Sequence, residues 1–232
     1  MIYARPRRGW VGAAAATIAA VVLVRTFLVQ VYGITTPSMS GTLRPGDFVI
    51  TSNAAFGAAV PGTPWTTPRF RHPRHGDVVV HAQAPGDPPA RVIKRVIGLP
   101  GDTIQMAGRR VVRNGVPLDE RYVAPPSRDD APLAFDGPYG VAWHRRFLPS
   151  NAVANAYRPT RDNWGPLVVP PGQYLLLGDN RDESTDSRMA GFVSREQIRG
   201  RVVAIYYSVA PGSSSRLPVL TAARWGRIGA VR

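Results

Sequence analysis

The 232-residue chain contains no cysteine, which removes disulfides, thiolate metal sites and cysteine nucleophiles together. Lysine is almost absent too. Of the 29 basic residues all are arginine except Lys94. Arginine stays protonated, so Lys94 is the only side chain that can supply a deprotonated amine. Histidine is confined to His72, His75, His81 and His144. None of these sits by a G-x-S-x-G elbow or in an H-E-x-x-H spacing. They read as surface histidines, and neither a metal nor another cofactor is implied. The nucleophiles left are serine and threonine, with histidine, lysine or a carboxylate as base.

What is abundant points to a β-rich chain. The 23 prolines and 23 glycines disfavour long helices and suit short strands joined by turns. At 44% hydrophobic, the chain can bury a core. The net charge is +14. Setting aside Arg5, Arg7, Arg8 and Arg25 leaves 25 of the 29 bases against 15 acids. That surplus suits anionic lipid headgroups. The arginines form no stripe and accompany no nucleic-acid motif, so no nucleic-acid partner is expected.

The N-terminus has the composition of a membrane anchor. Residues Gly9 to Val24 carry no charge, and Phe27, Leu28, Val29 and Val31 continue the apolar run beyond Arg25. A span needs about 20 residues, and Arg25 can snorkel to the interface. Arg5, Arg7 and Arg8 precede the run, which keeps the N-terminus cytoplasmic and places the rest outside. The expectation is a cytoplasmic tail at 1–8, a single transmembrane helix at 9–31, and an extracytoplasmic catalytic domain at 32–232. A cleaved export signal or a buried core helix are the alternatives, and no small-x-small cleavage site follows Val24.

Beyond it, turn residues punctuate short apolar runs. Strands are predicted at Phe48 to Thr51, Val78 to His81, Arg91 to Ile97, Arg110 to Arg113, Tyr174 to Leu177 and Val202 to Val209. Asn114-Gly115 is a strong hairpin signal. Asn53 to His75, and Tyr122 to Pro171, read as irregular. The fold class expected is mostly β: an antiparallel sheet domain with a β- and loop-rich insertion at about 103–171, plus the N-terminal transmembrane helix.

Three segments carry candidate chemistry. Thr35 to Leu43 is a small-residue loop just past the anchor, with Ser38 at its centre. Lys94 lies in Val92 to Ile97, where period two places it on the face of Val92 and Val96. Apolar β-branched neighbours desolvate an amine and lower its pKa, as a general base working near neutral pH requires. A snorkelling or ion-paired lysine at a strand edge is the plainer alternative. Gly178 to Arg188 is a polar run of acids, serines and arginines. It lacks the calcium-loop spacing of an EF-hand and suits a bracing network.

Together these segments resemble the bacterial type I signal peptidase family, whose enzymes are Ser/Lys-dyad serine proteases. The resemblance rests on Ser38-Met39, Thr42-Leu43 and Gly46-Asp47. It rests further on Lys94-Arg95 with Gly98, Pro100, Gly101 and Asp102, and on Gly178-Asp179-Asn180 with Ser184, Asp186, Ser187 and Arg188. It implies an endopeptidase of the cytoplasmic membrane that removes signal peptides from exported preproteins on the periplasmic side. Ser38 would be the nucleophile and Lys94 the general base. Ser184 would orient the lysine, Thr36 would contribute to an oxyanion hole, and Asp186 with Arg188 would form a supporting ion pair. Ile34, Met39, Leu43 and Ile93 would line pockets for small substrate residues. A conjugation-type maturation peptidase of the same clan, or an inactive membrane-tethered scaffold, are the alternatives. The chain departs from the family pattern at Gly41, where proline is usual, at Glu183, and at Met189-Ala190. Gly41 leads to the expectation of a looser loop behind the nucleophile.

Overall fold

The computed structural model describes residues 9–27, 29–57, 71–83, 91–133, 140–149, 156–210 and 222–231. Among these residues, twelve strands form two antiparallel sheets. The larger joins β1 (Val29–Gly33), β2 (Asp47–Ser52), β11 (Ile198–Ser208), β3 (Val78–Ala82), β4 (Arg91–Gly98), β9 (Gln173–Leu177) and β10 (Val193–Ser194) in that order, with β12 (Gly229–Ala230) beside β11. The smaller runs β7 (Val116–Pro117), β6 (Arg110–Arg113), β5 (Thr103–Ala107), β8 (Trp164–Val168). It is built wholly from chain lying between β4 and β9.

Strand alternation decides which core each residue enters. Val78 and Val80 join Ile34, Met39, Leu43, Val49, Val202 and Ile205 on one face. Val79 joins Phe56, Val96, Tyr174 and Leu176 on the other. A third cluster, including Ile97, Ile104, Trp143, Trp164 and Leu175, packs the smaller sheet against the larger. Side chains buried on both faces explain the unbroken apolar runs Val78 to Val80 and Leu175 to Leu177. Each such side chain contributes about 1.5–3 kcal/mol relative to exposure.

The predicted strands all appear, most of them a residue or two longer. The Asn114-Gly115 signal becomes the β6–β7 turn, with positive φ at Asn114 (51°) and Gly115 (81°). Three expectations need correction. The stretch from Tyr122 to Pro171 is not all irregular, since it holds α2 (Gly140–Arg145) and β8. A strand that was not among those predicted, β5, also follows Asp102. The third correction concerns the anchor. Helix α1 covers Gly9–Phe27, but Val29 and Val31 belong to β1, opposite Ser52 and Ile50. All five residues of β1 pair with β2, so the period changes from helix to strand after Phe27. Among the described residues, no helix is long and apolar enough to cross a membrane. Nor is α1 a buried core helix, because Trp10, Val11, Ile18 and Val21 are all exposed. Of the irregular Asn53 to His75 stretch, residues 58–70 lie outside the described residues.

Candidate active site

The site forms where three chain segments meet. After β1 the chain turns through a short 3-10 helix, Pro37–Met39, with proline at its start. Met39 is buried and anchors this turn in the core beside Leu43, leaving Ser38 half-exposed. From β4, Lys94 reaches the turn, and its Nζ lies 2.9 Å from Ser38 Oγ. Lys94 is only 2% exposed. The third segment follows β9. The Asn180 backbone N–H donates to the Ser38 carbonyl at 3.0 Å, and the Asn180 amide donates to the Pro37 carbonyl at 3.3 Å.

Two glycines make these approaches possible. A Cβ on Gly178 would stand 2.2 Å from Ser184 Oγ and 2.6 Å from the Ser38 carbonyl oxygen. A Cβ on Gly41 would stand 1.8 Å from the Tyr122 carbonyl oxygen. The loop after Ser38 is therefore clamped by close backbone packing, and the looser loop anticipated from Gly41 is corrected. Thr42 and Arg95 reinforce it. Thr42 Oγ1 donates to Asp179 at 2.5 Å. Arg95 forks onto both Asp179 oxygens at 2.8 and 2.7 Å and stacks over the Tyr122 ring at 3.9 Å. The three motif pairs Thr42-Leu43, Lys94-Arg95 and Gly178-Asp179 thus converge on one buried ion pair. That convergence was invisible in sequence, where the members are up to 137 residues apart.

Burial holds the Lys94 pKa below the usual lysine value. The Asp186 charge opposes this, Arg188 adds to it, and Asp179 opposes it again. Asp186 and Arg188 pair bidentately at 2.9 Å, so their opposite effects on the amine largely cancel and desolvation decides. Burial pushes Asp186 up, but the Arg188 charge and hydrogen bonds, with the Gly178 N–H, bring its carboxyl below the usual range. An amine kept neutral beside a hydroxyl can accept the hydroxyl proton.

The remaining predicted residues divide. Thr36 Oγ1 is exposed and lies 3.4 Å from Ser38 Oγ. Ser184 is buried beside the site, but its hydroxyl has no hydrogen-bond partner and does not bond Lys94. The lysine-orienting contact implied for it is absent in this arrangement. Ile34, Met39 and Ile93 line a groove of about 300 Å³ that also contains Ser38 and Lys94. Leu43 does not line it; the turn folds over this side chain, which is fully buried in the core beneath. Sequence reasoning missed Tyr32, Gln83 and Arg91 on the groove wall. The apolar/polar alternation of Val29 to Gly33 was the signal that could have found Tyr32. Among the described residues, β1 pairs only with β2, and the Arg91–Lys94 half of β4 pairs only with β3. The groove therefore runs between two strand edges, a shape that accepts an extended peptide.

The histidines also differ from expectation. His81 and His144 are buried rather than superficial, because both faces of β3 and the inner side of α2 are covered. His144 Nε2 donates to the Arg188 carbonyl at 2.9 Å, which leaves Nδ1 to accept from the Tyr157 hydroxyl at 2.7 Å. Burial lowers both pKa values to about 4.

A model of the family described as signal peptidase, peptidase S26, matches residues 7–207. The chain is 31% identical over 224 residues to Signal peptidase I of Pseudomonas fluorescens, covering 91% of this chain and 75% of that protein. It is 32% identical over 192 residues to Signal peptidase I of Leptolyngbya laminosa, covering 80% and 72%. With Signal peptidase I of Aquifex aeolicus it shares 28% identity over 246 residues, covering 93% and 88%.

Proposed function

We propose, proceeding from the fact that this chain belongs to the signal peptidase family, peptidase S26, that it is a membrane-bound serine endopeptidase removing N-terminal signal peptides from exported preproteins. One observation carries the reading: the chain's sole lysine amine, buried and held below its usual pKa, lies 2.9 Å from the Ser38 hydroxyl.

In this mechanism Lys94 takes the Ser38 proton as Oγ attacks the scissile carbonyl. The amine then returns that proton to the leaving amine, and the acyl-enzyme is hydrolysed by a water that Lys94 activates in the same way. The Thr36 hydroxyl and the Ser38 backbone N–H stabilise the developing oxyanion. Asp186 and Arg188 brace the floor without donating a net charge to Lys94. Ile34, Met39 and Ile93 give the groove apolar walls that suit small side chains near the cut.

Helix α1 attaches the enzyme to the cytoplasmic membrane, with the β-domain on the extracytoplasmic side. Supporting this are its exposed apolar side chains Trp10, Val11, Ile18 and Val21 and the arginines that precede it. The membrane lipids and the signal peptides it holds in place are the partners.

The test is incubation of the detergent-solubilised protein with a preprotein bearing an Ala-x-Ala site, beside its Ser38→Ala and Lys94→Arg forms. The parent should release the mature protein and both variants should release none. Near-normal cleavage by Lys94→Arg would remove the general-base assignment. Retention of α1 in the membrane after alkaline carbonate washing tests the attachment separately.

A further inference from the structure

Three charged side chains line the groove: Lys94 at its floor, and Arg91 and Glu183 on its walls. Both wall residues are exposed, and neither is used by the mechanism above. Arg91 opens β4. It lies three positions before Lys94, about 10 Å along an extended strand. Its guanidinium donates to Gln30 Oε1 at 3.1 Å and to the Tyr32 hydroxyl at 2.7 Å, both on β1. It thereby bridges the two strands that bound the groove. Among the described residues no carboxylate lies within ion-pair distance of it. Glu183 ends the short 3-10 helix Arg181–Glu183, which contacts the Ser38 turn. Its carboxylate pairs with Arg128 through Oε1 at 2.9 Å and is 37% exposed at the side chain.

Resting on the peptidase reading, we propose that the groove reads charge as well as size. Arg91 favours an acidic side chain in the bound peptide about three residues from the cut, and Glu183 favours a basic one at a different position, nearer the reacting bond. An extended peptide rises about 3.3 Å per residue, so the strand distance between Lys94 and Arg91 maps onto three peptide residues. The Gln30 and Tyr32 contacts fix the guanidinium in the groove, and the Arg128 contact does the same for the Glu183 carboxylate. A side chain already held in place loses little freedom on meeting its partner. Both pairs remain in contact with water, which limits each preference to about two- to fivefold.

The experiment uses the full-length enzyme in detergent and a set of peptides sharing one Ala-x-Ala site. Lys or Glu is placed singly at each position from about six before to three after the cut. Relative kcat/KM is read against the neutral reference peptide within each protein, so a reduced active fraction cancels. The parent should prefer Glu at one position and Lys at another. Arg91→Gln should erase the first preference and Arg91→Glu should invert it. Glu183→Gln should erase the second, and Glu183→Lys should invert it. All these preferences should shrink in 1 M salt, where screening acts over about 3 Å. Should a charge-reversed variant fail to fold, its neutral counterpart still decides the point. Charge profiles identical in parent and variants, or insensitive to salt, would overturn the inference while leaving the peptidase reading standing. Failure of the parent to cut the neutral reference would overturn both.

Discussion

Replacing Lys94 with methionine should abolish cleavage and, at neutral pH, make the protein more stable. In the unfolded chain a lysine titrates near about 10.4. In the folded chain burial holds Lys94 lower. Between those two values the unfolded chain carries a proton that the folded chain lacks, so the parent's stability rises with pH across this window. The slope there is about 1.4 kcal/mol per pH unit. Below the window the full penalty for the buried amine persists; above it, none is left. Methionine has a similar length, stays apolar at every pH, and fits a site that is 2% exposed. What it forfeits is the 2.9 Å hydrogen bond to Ser38, worth about 1 kcal/mol. The variant's advantage should therefore be largest at low pH, decline through the window, and turn into a deficit of about 1 kcal/mol above it. Urea titrations of parent and variant at a series of pH values from about 6 to 10 give the difference curve. A difference that stays flat over that range would mean that folding leaves the amine titrating normally, and the general-base argument would fail with it.

Thr36→Val should lower turnover by about 100- to 1000-fold, the effect of losing one oxyanion donor, with substrate affinity unchanged; unchanged kcat in a steady-state assay would remove Thr36 from the mechanism. Gly41→Ala places a methyl 1.8 Å from the Tyr122 carbonyl oxygen and should destabilise the fold by about 1–3 kcal/mol, measured as a lower denaturation midpoint; an unchanged midpoint would show that the loop is not clamped. His144 has a folded pKa of about 4, lowered from 6.5. From 6.5 down to about 4 the unfolded chain takes up a proton that the folded one refuses, so the parent loses stability on acidification. His144→Gln, whose amide can still donate to the Arg188 carbonyl, should make that acid loss shallower in thermal melts while leaving cleavage per folded molecule intact. A collapse of cleavage in that variant would reopen the identity of the base.

How far the sequence carries is shown by particular residues. Strands β2, β3, β4, β9 and β11 were legible as short apolar runs bounded by turn residues, unbroken where both faces are covered, as in Val78 to Val80 and Leu175 to Leu177, and Asn114-Gly115 marked its turn because few residues accept positive φ. Strand β1 was not legible as such. Its residues continue an apolar run begun by a helix, so the short alternation of Val29 to Gly33 was lost in that run until pairing with β2 set it apart. Leu43 and His144 were misplaced for a related reason: whether a side chain lines a groove, fills a core or lies on the surface depends on what packs over it.

Sequence alone determined that any base supplied by a side-chain amine must be Lys94, because every other member of the Lys/Arg set is an arginine, which stays charged. It also singled out the three segments that carry the proposed chemistry, since the residue types needed for a turn, a desolvated strand and a bracing loop are local properties. Only the tertiary structure decided that these segments meet. The Gly41 and Gly178 contacts, the Arg95–Asp179 pair and the burial of Lys94 all join residues distant along the chain. A pKa lowered by desolvation is a property of what surrounds a group in space, and no spacing along the chain encodes it.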